Sequence, residues 1–562
     1  MNLRILFLVF FLSYSALLFS QPKGVPDYFA YPLSIKPKLN ANFGEMRPNH
    51  FHMGLDLSTE SRENLPVFAP ADGYISRMKI ELVGFGRAIY LDHPNGTTTL
   101  YAHMNKFIPV AENYLEEQQY EKQTWKIDLS VPPGLLPVKK GQLIGYSGNT
   151  GASQGPHVHF EIRDTKTENC LNPLRFRFLL PDVTPPDVFR LVFYDRDRSI
   201  YEQTPIVYPL IKKGGSYQPA SRVELPFDKA FVAIQATDRM SGIPNANGFY
   251  AAHLKIENEV VSSFILDNIS YDKTRYLNGH IDYTTRMKGG SYYQMLFPSQ
   301  KMDLPIYKVK DKKYISITEM VQECEIEVLD AYENLSSVKF SVKRKPGVGN
   351  VWQKNGQPMA AGEVNIYEDE NIQFVFSEDA FYDDLHFEIQ SSNAIATHDV
   401  SSVFQTFPAD IPVQSYFKVR IKPSKDLDLL NLDRLLIKRN YRGKTEIKKA
   451  VPEKGGFSAS FRDFGFFQLV HDIQPPQVST SLHQGAKLHT GSRIHFDVLD
   501  DLKVIKEFKV MVDGQFLLFT PTGVRYNYVV DDHFPKGEHK LTAFVMDEAG
   551  NTVSKEFTVT RN

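Results

Sequence analysis

Residues 141 to 151 read GQLIGYSGNTG, four glycines in eleven positions. A helix would lose about 1 kcal/mol at each of them relative to alanine. Glycine at this density marks tight turns that need positive φ and strands that run close together. The flanking runs "VFAPADGYISRM" and "AIYLDH" alternate around Gly and Asp, the pattern of short hairpin strands. Residues 28 to 180 are therefore predicted to be built from tight β-hairpins. "VAENYLEEQQYEKQTW", Val110 to Trp125, is the exception. It holds helix formers and few breakers, and predicts a short helix inserted between strands.

The chain has 562 residues, too long for one core. At about 150 residues per domain it suggests three to four domains. From Asp182 the texture changes. "DVTPPDV" (Asp182 to Val188) recurs as "DIQPPQV" (Asp472 to Val478), each a stiff Pro-Pro entry into a new unit. "IEVLDAYENLSSVKFSV" (Ile326 to Val342) resembles "TAFVMDEAGNTVSKEFTV" (Thr542 to Val559), with Asp330 and Asn334 matching Asp547 and Asn551. "AIQATDRMSG" around Asp238 is a weaker third copy. The recurrence predicts tandem β-sandwich domains of immunoglobulin-like type. One Asp and one Asn per loop are thin for calcium, which takes six to eight oxygens, so these loops read as turn chemistry. Together these features predict a mainly β chain: a domain at 28–181, immunoglobulin-like units at 184–345 and 472–562, and a sandwich-like unit at 346–470.

A net charge of −2 gives no field for nucleic acid. "MNLRILFLVFFLSYSALLFSQ" has one Arg, an apolar run from Ile5 to Phe19, then Ser20-Gln21. It reads as a signal peptide over 1–20, cut after Ser20, which predicts export to the periplasm or cell envelope, or secretion. The competing reading is a retained anchor, but the run is short for a span of about 20 residues. No stable membrane span is expected after cleavage. The two cysteines, Cys170 and Cys324, are too few for a disulfide scaffold; they read as buried free thiols, with a bridge between them left open.

Three segments gather chemistry: "NHFHMGLDLS" with His50, His52 and Asp56, "LYAHMN" with His103, and "GPHVHFEIR" with His157 and His159. Strand side chains alternate with period two. His52 and Asp56 can therefore share a face, and so can His157 and His159. Two neighbouring strands could aim His52, Asp56 and one of the 157/159 pair at one point. Two imidazoles and a carboxylate suit Zn²⁺ with a fourth position open. Alone, His-x-His on a strand is more often metal-free; the joint appearance of three histidine segments is what favours a site. No His-Glu-x-x-His helix is present.

"NFGEMR…HFHMGLDLS", "VFAPADGYI", "YAHM", "VKKGQLIGYSGNTGASQGPHVHFEIR" and "NPLRF" together resemble the lysostaphin/LytM-like zinc endopeptidases over about residues 30 to 180. The resemblance implies a compact antiparallel β metallopeptidase fold and hydrolysis of peptide bonds in bacterial peptidoglycan. It also implies zinc on His52, Asp56 and His159. His157 would be the general base and His103 would orient water or stabilise the oxyanion. His50 and His93 read as surface or solvated residues, and Glu161 as an exposed strand residue. The family usually has a short connection after "YAHM". Here about thirty residues intervene, Asn105 to Pro137, a length that suggests a wall or lid over the groove. The enzyme reading competes with a non-catalytic envelope protein that activates another wall hydrolase, and with an adhesin or scaffold. The β domains leave room for an envelope protein partner.

Overall fold

The computed structural model describes residues 28–178, 181–299, 302–345, 355–393, 399–424 and 429–562. The signal-peptide reading lies outside the described residues. Among the described residues no helix is long and apolar enough to cross a membrane.

In the first unit the glycine turns join short strands: β1 (Leu39–Ala41), β2 (Leu55–Ser58), β3 (Gly73–Ile80), β4 (Arg87–Asp92) and β5 (Thr97–Ala102). After helix α1 (Pro109–Glu121) come β6 (Ile127–Ser130) and β7 (His157–Asp164). They form an antiparallel sheet in the order β1-β2-β7-β5-β4-β3-β6. β7 therefore lies between β2 and β5, away from either edge. One of its faces is core: Val158, Phe160 and Ile162 are all fully buried. Each such side chain contributes about 1.5–3 kcal/mol. Its other face carries His159, Glu161 and Arg163, and these are buried as well.

Helix α1 starts with Pro in its first turn and buries Ala111, Leu115 and Gln119, one stripe at spacing four. It stops four residues before the predicted end, because Gln123 turns left-handed and the Thr124 amide bonds back to Gln119 O at 3.0 Å. The insertion then adds β6 to the sheet edge. Tyr120 stacks on His533 of the last unit, ring centroids 3.8 Å apart. Among the described residues, the insertion's hydrogen bonds and ring contacts include Arg87 and this last unit but none of the five predicted site residues.

Among the described residues, the rest of the chain is mostly strands, with short helices at 274–287 and 429–434. Residues 187–344 form one twelve-stranded sheet, 357–471 two sheets of six and five strands, and 477–561 two sheets of four and five. The second unit also lends a strand to the first: β8 (Cys170–Leu171) pairs with β7 on one side and with β9 (Asn268–Ile269) on the other. Both cysteines are buried and free.

The repeated Asp and Asn do perform turn chemistry. Asp330 Oδ1 accepts from the amides of Tyr332 and Asn334, each at 2.8 Å. Asp547 Oδ1 accepts from those of Gly550 and Asn551 at 2.6 and 2.8 Å. Each Asn also reaches its Pro-Pro linker: Asn334 Nδ2 donates to Asp182 O at 3.0 Å, and Asn551 Nδ2 to Asp472 O at 3.1 Å.

Candidate metal centre

Sheet register builds the site. Across the β2–β7 ladder, His159 stands directly opposite Asp56 and His157 opposite Ser58. On the other side His159 faces Ala102, so the next residue, His103, lies at the same end. His52 comes in from the turn before β2. Gly54 lets that turn close on β7: a Cβ there would sit 2.4 Å from Phe160 O and 3.0 Å from His159 Nε2.

Three donor atoms converge. His52 Nε2 lies 2.9 Å from Asp56 Oδ1 and 3.0 Å from His159 Nδ1, and His159 Nδ1 lies 3.0 Å from Asp56 Oδ1. Ligand atoms of a tetrahedral ion held at ~2.0–2.1 Å stand roughly 3.3 Å apart. The triangle fits such an ion with little adjustment, and these three residues can hold a metal.

The other ring nitrogens are fixed by acceptors. His52 Nδ1 donates to Asn42 O at 2.7 Å and His159 Nε2 to Glu161 Oε1 at 2.9 Å. A carbonyl and a carboxylate only accept, so in the neutral rings the inner nitrogens keep their lone pairs for a metal. Glu161 also accepts from Arg163 Nε at 2.7 Å, from the Tyr271 hydroxyl and from Cys170 Sγ at 3.3 Å. Asn42 exchanges two hydrogen bonds with Gly248, at 2.7 and 3.0 Å. Tyr271 and Gly248 belong to the second unit. The groups that orient both histidines are thus themselves held from the second unit.

His103 and His157 face one another, ring centroids 4.7 Å apart. His157 Nδ1 donates to Gly155 O and His103 Nδ1 to Thr150 O, both at 2.8 Å. His157 Nε2 points back toward the triangle, 3.4 Å from Asp56 Oδ1. His103 has φ of 60°, a left-handed conformation that costs a residue with a Cβ of order 1–3 kcal/mol. The loop below it is locked by Gly151 (φ 74°), where a Cβ would lie 2.3 Å from the amide of Gly86.

Electrostatics follow from burial and these partners. For His159 burial opposes the charge, but the hydrogen bonds to Asp56 and Glu161 outweigh it and hold the imidazole up at about 9. Asp56 is held well below the usual carboxylate range: burial is overcome by His52, His157 and His159. Glu161 falls to about 2 against its burial, through Arg163 and His159. Burial, then the charges of His159 and His157, push His103 down to about 3.

The structure brings together all five residues of the sequence reading: His52, Asp56, His103, His157 and His159. Two neighbours differ from expectation. Glu161 is fully buried, not an exposed strand residue. The signal was its place two residues beyond His159, on the same face. His93 is buried rather than solvated, bonded to Asp72 O and Thr99 Oγ1, both at 2.8 Å. His50 is exposed, as expected. Tyr271 carried no sequence signal, because it arrives from 110 residues beyond Glu161.

A β unit with a His-Asp-His triangle and two further histidines on its open side is the frame of a metallopeptidase. Residues 50–119 and 130–173 match Peptidase family M23, so the first unit is a LytM/lysostaphin-like M23 domain. The match breaks at 120–129, the end of α1 and most of β6, a narrower interruption than the thirty-residue insertion expected from sequence. Residues 356–472 match a Zu5-like domain. An uncharacterized metalloprotease of Haemophilus influenzae is 33% identical over 153 residues, 26% of this chain and 26% of that protein. The DD-carboxypeptidase/endopeptidase Mpg of Neisseria meningitidis is 32% identical over 136 residues, 24% of this chain and 25% of that protein. The chain thus spans about a quarter of the length of the curated relatives it matches. Among solved structures, the catalytic domain of lysostaphin from Staphylococcus simulans is 24% identical with a TM-score of 0.19, over 25% of this chain and 91% of that one.

Proposed function

We propose that the protein is an exported zinc endopeptidase that hydrolyses peptide bonds of bacterial peptidoglycan. The observation that carries this reading is the His52–Asp56–His159 triangle with two more histidines on its open side. The names of the Haemophilus and Neisseria relatives support the same class. Two imidazoles and one carboxylate suit zinc with a position left open. Zinc held there supplies a Lewis acid that lowers the pKa of water and polarises a carbonyl.

The protein's own residues do the rest. In the neutral ring, with Nδ1 donating to Gly155 O, the lone pair of His157 lies on Nε2, so His157 serves as general base, taking the proton of the attacking water and returning it to the leaving amine. His103 is held neutral with Nδ1 engaged by Thr150 O, so its Nε2 is an acceptor that orients water. This favours the water-orienting half of the sequence expectation for His103 over the oxyanion half, which needs a donor.

The test is zinc content together with digestion of purified peptidoglycan, read by product masses. His159→Ala loses both zinc and activity. His157→Ala keeps zinc and loses activity by ~10²–10⁴-fold, the usual reach of acid–base catalysis. Full activity in His157→Ala would remove it from the base role. Zinc bound by the wild type without any digestion would leave the non-catalytic activator as the reading.

A further inference from the structure

The first Pro-Pro junction gathers three buried carboxyl groups. Asp182 stands where the chain leaves the first unit, Asp238 follows the strand Lys229–Thr237, and Asp330 follows the strand Gln322–Leu329. They are 5%, 4% and 1% exposed, and one oxygen from each lies within 4.8 Å of the others. The charges that bear most on Asp238 are those of Asp330 and Asp182. Nearby cations are engaged elsewhere: Arg239 pairs with Asp187, and Arg177 lies over the Tyr332 ring.

Three buried oxygens at this point accept no hydrogen bond. Asp182 Oδ1 takes the amides of Thr184 and Ser241 and the Ser241 hydroxyl, but Oδ2 takes nothing. Asp238 Oδ1 is likewise without a partner. The third is Asn247 Oδ1, on a residue only 3% exposed. Asn247 faces Asp238 across a reciprocal backbone pair at 2.8 and 2.9 Å, so both side chains leave on the same face. Buried oxygens left this way cost more than a lost hydrogen bond unless something satisfies them.

The donor set says what does. It is all oxygen, three carboxylates and one amide, so it suits a hard cation. Its residues come from separate segments, which fits the six to eight flexible ligands of calcium better than the rigid shell of magnesium. We propose that Asp182, Asp238, Asn247 and Asp330 form a calcium site that ties the linker between the first two units to the hairpins of the second. The linker is already stitched there: Val183 N donates to Ser241 Oγ at 3.0 Å and Ser336 Oγ to Pro186 O at 2.6 Å. Calcium completes that joint. It thereby fixes the unit that supplies Tyr271 and Gly248 to the groups orienting His159 and His52. The second junction repeats the frame with Asp472, Asp547 and Asn551; there Asp501 is exposed and Asp500 only half-buried, and a single oxygen, Asp500 Oδ1, is buried without a partner, against three at the first junction.

The site does not depend on the peptidase reading, and its test is separate. Calcium chloride is titrated calorimetrically into the full chain carrying one equivalent of zinc. Saturable binding is expected with a Kd between about 10⁻⁶ and 10⁻³ M. Asp238→Asn and Asp330→Asn each weaken it at least ~tenfold, and His159→Ala and Asp500→Asn leave it unchanged. In the wild type, calcium raises the thermal midpoint and slows proteolysis within residues 181–186. The proposal is overturned if the wild type takes up no calcium at millimolar concentration, or if the binding vanishes with Asp500→Asn but survives Asp238→Asn. Should the aspartate variants fail to fold, the wild type decides: a midpoint and a cleavage rate both indifferent to calcium also overturn it.

Discussion

His157 and His159 are two residues apart on one strand, and each has a different partner on its outer nitrogen: Gly155 O for His157 and Glu161 for His159. His159 is clamped by Asp56 and Glu161, and in the metal-free protein its imidazole is held up near 9. Below that pH an incoming metal must displace a proton. Metal affinity should therefore rise about tenfold per pH unit between pH 6 and 8, measured against a competing chelator. The sign for stability runs the other way. A raised histidine stabilises the metal-free fold fully below its ordinary 6.5, and that contribution is lost as pH rises through about 9. The thermal midpoint of metal-free protein should fall over that window. Glu161→Gln keeps the shape and removes the charge; metal affinity should drop ~10–100-fold and its pH slope should flatten. Spacing put His52 and Asp56 on one face and left His157 and His159 as alternatives; the family resemblance chose His159, which is the one that meets the other two. The role of Glu161 was not legible, since period two gives a side chain's face but not what covers that face.

At the scale of elements, the β2–β7 register sets Asp56 against His159, and a slip of one residue would turn the whole constellation away. The glycine run at 141–151 supports His103 rather than the three residues that can hold a metal. Gly151→Ala forces a Cβ into the Gly86 amide and a left-handed φ; we expect a loss of ~1–3 kcal/mol in stability, with zinc uptake retained and turnover reduced. The β8–β9 pairing brings the second unit against the site, where the Tyr271 hydroxyl donates to Glu161. Tyr271→Phe removes that donor alone. Metal affinity should weaken by about tenfold, with the thermal midpoint nearly unchanged. An unchanged affinity would mean that Glu161 needs no support from outside its own sheet.

Across the whole molecule, the units behave as supports for one another. Asn42 bonds to Gly248, the Phe51 amide donates to Thr274 Oγ1 at 2.9 Å, and Tyr120 stacks on His533. Residues 28–183 expressed alone should therefore bind zinc more weakly than the full chain, by about tenfold or more in chelator competition. Equal affinity would show that the M23 domain holds its ligands unaided.

Glycine turns, strand alternation and Pro-Pro linkers are local signals. They sufficed for a mainly β chain, for an antiparallel first unit and for the histidine segments, because each depends on residues close in sequence. Local reading also made the Asp330 and Asn334 loop a turn, and it is one. What it could not count were ligands from other segments. Asp182, Asp238 and Asp330 meet only because the ends of two strands and a linker pack at one junction, and that meeting gathers unsatisfied oxygens from separate segments. The same holds for Tyr271 over Glu161. Sequence determined which chemistry the residues carry. The tertiary structure decided which of them share an environment, because burial, charge and coordination depend on distance in space.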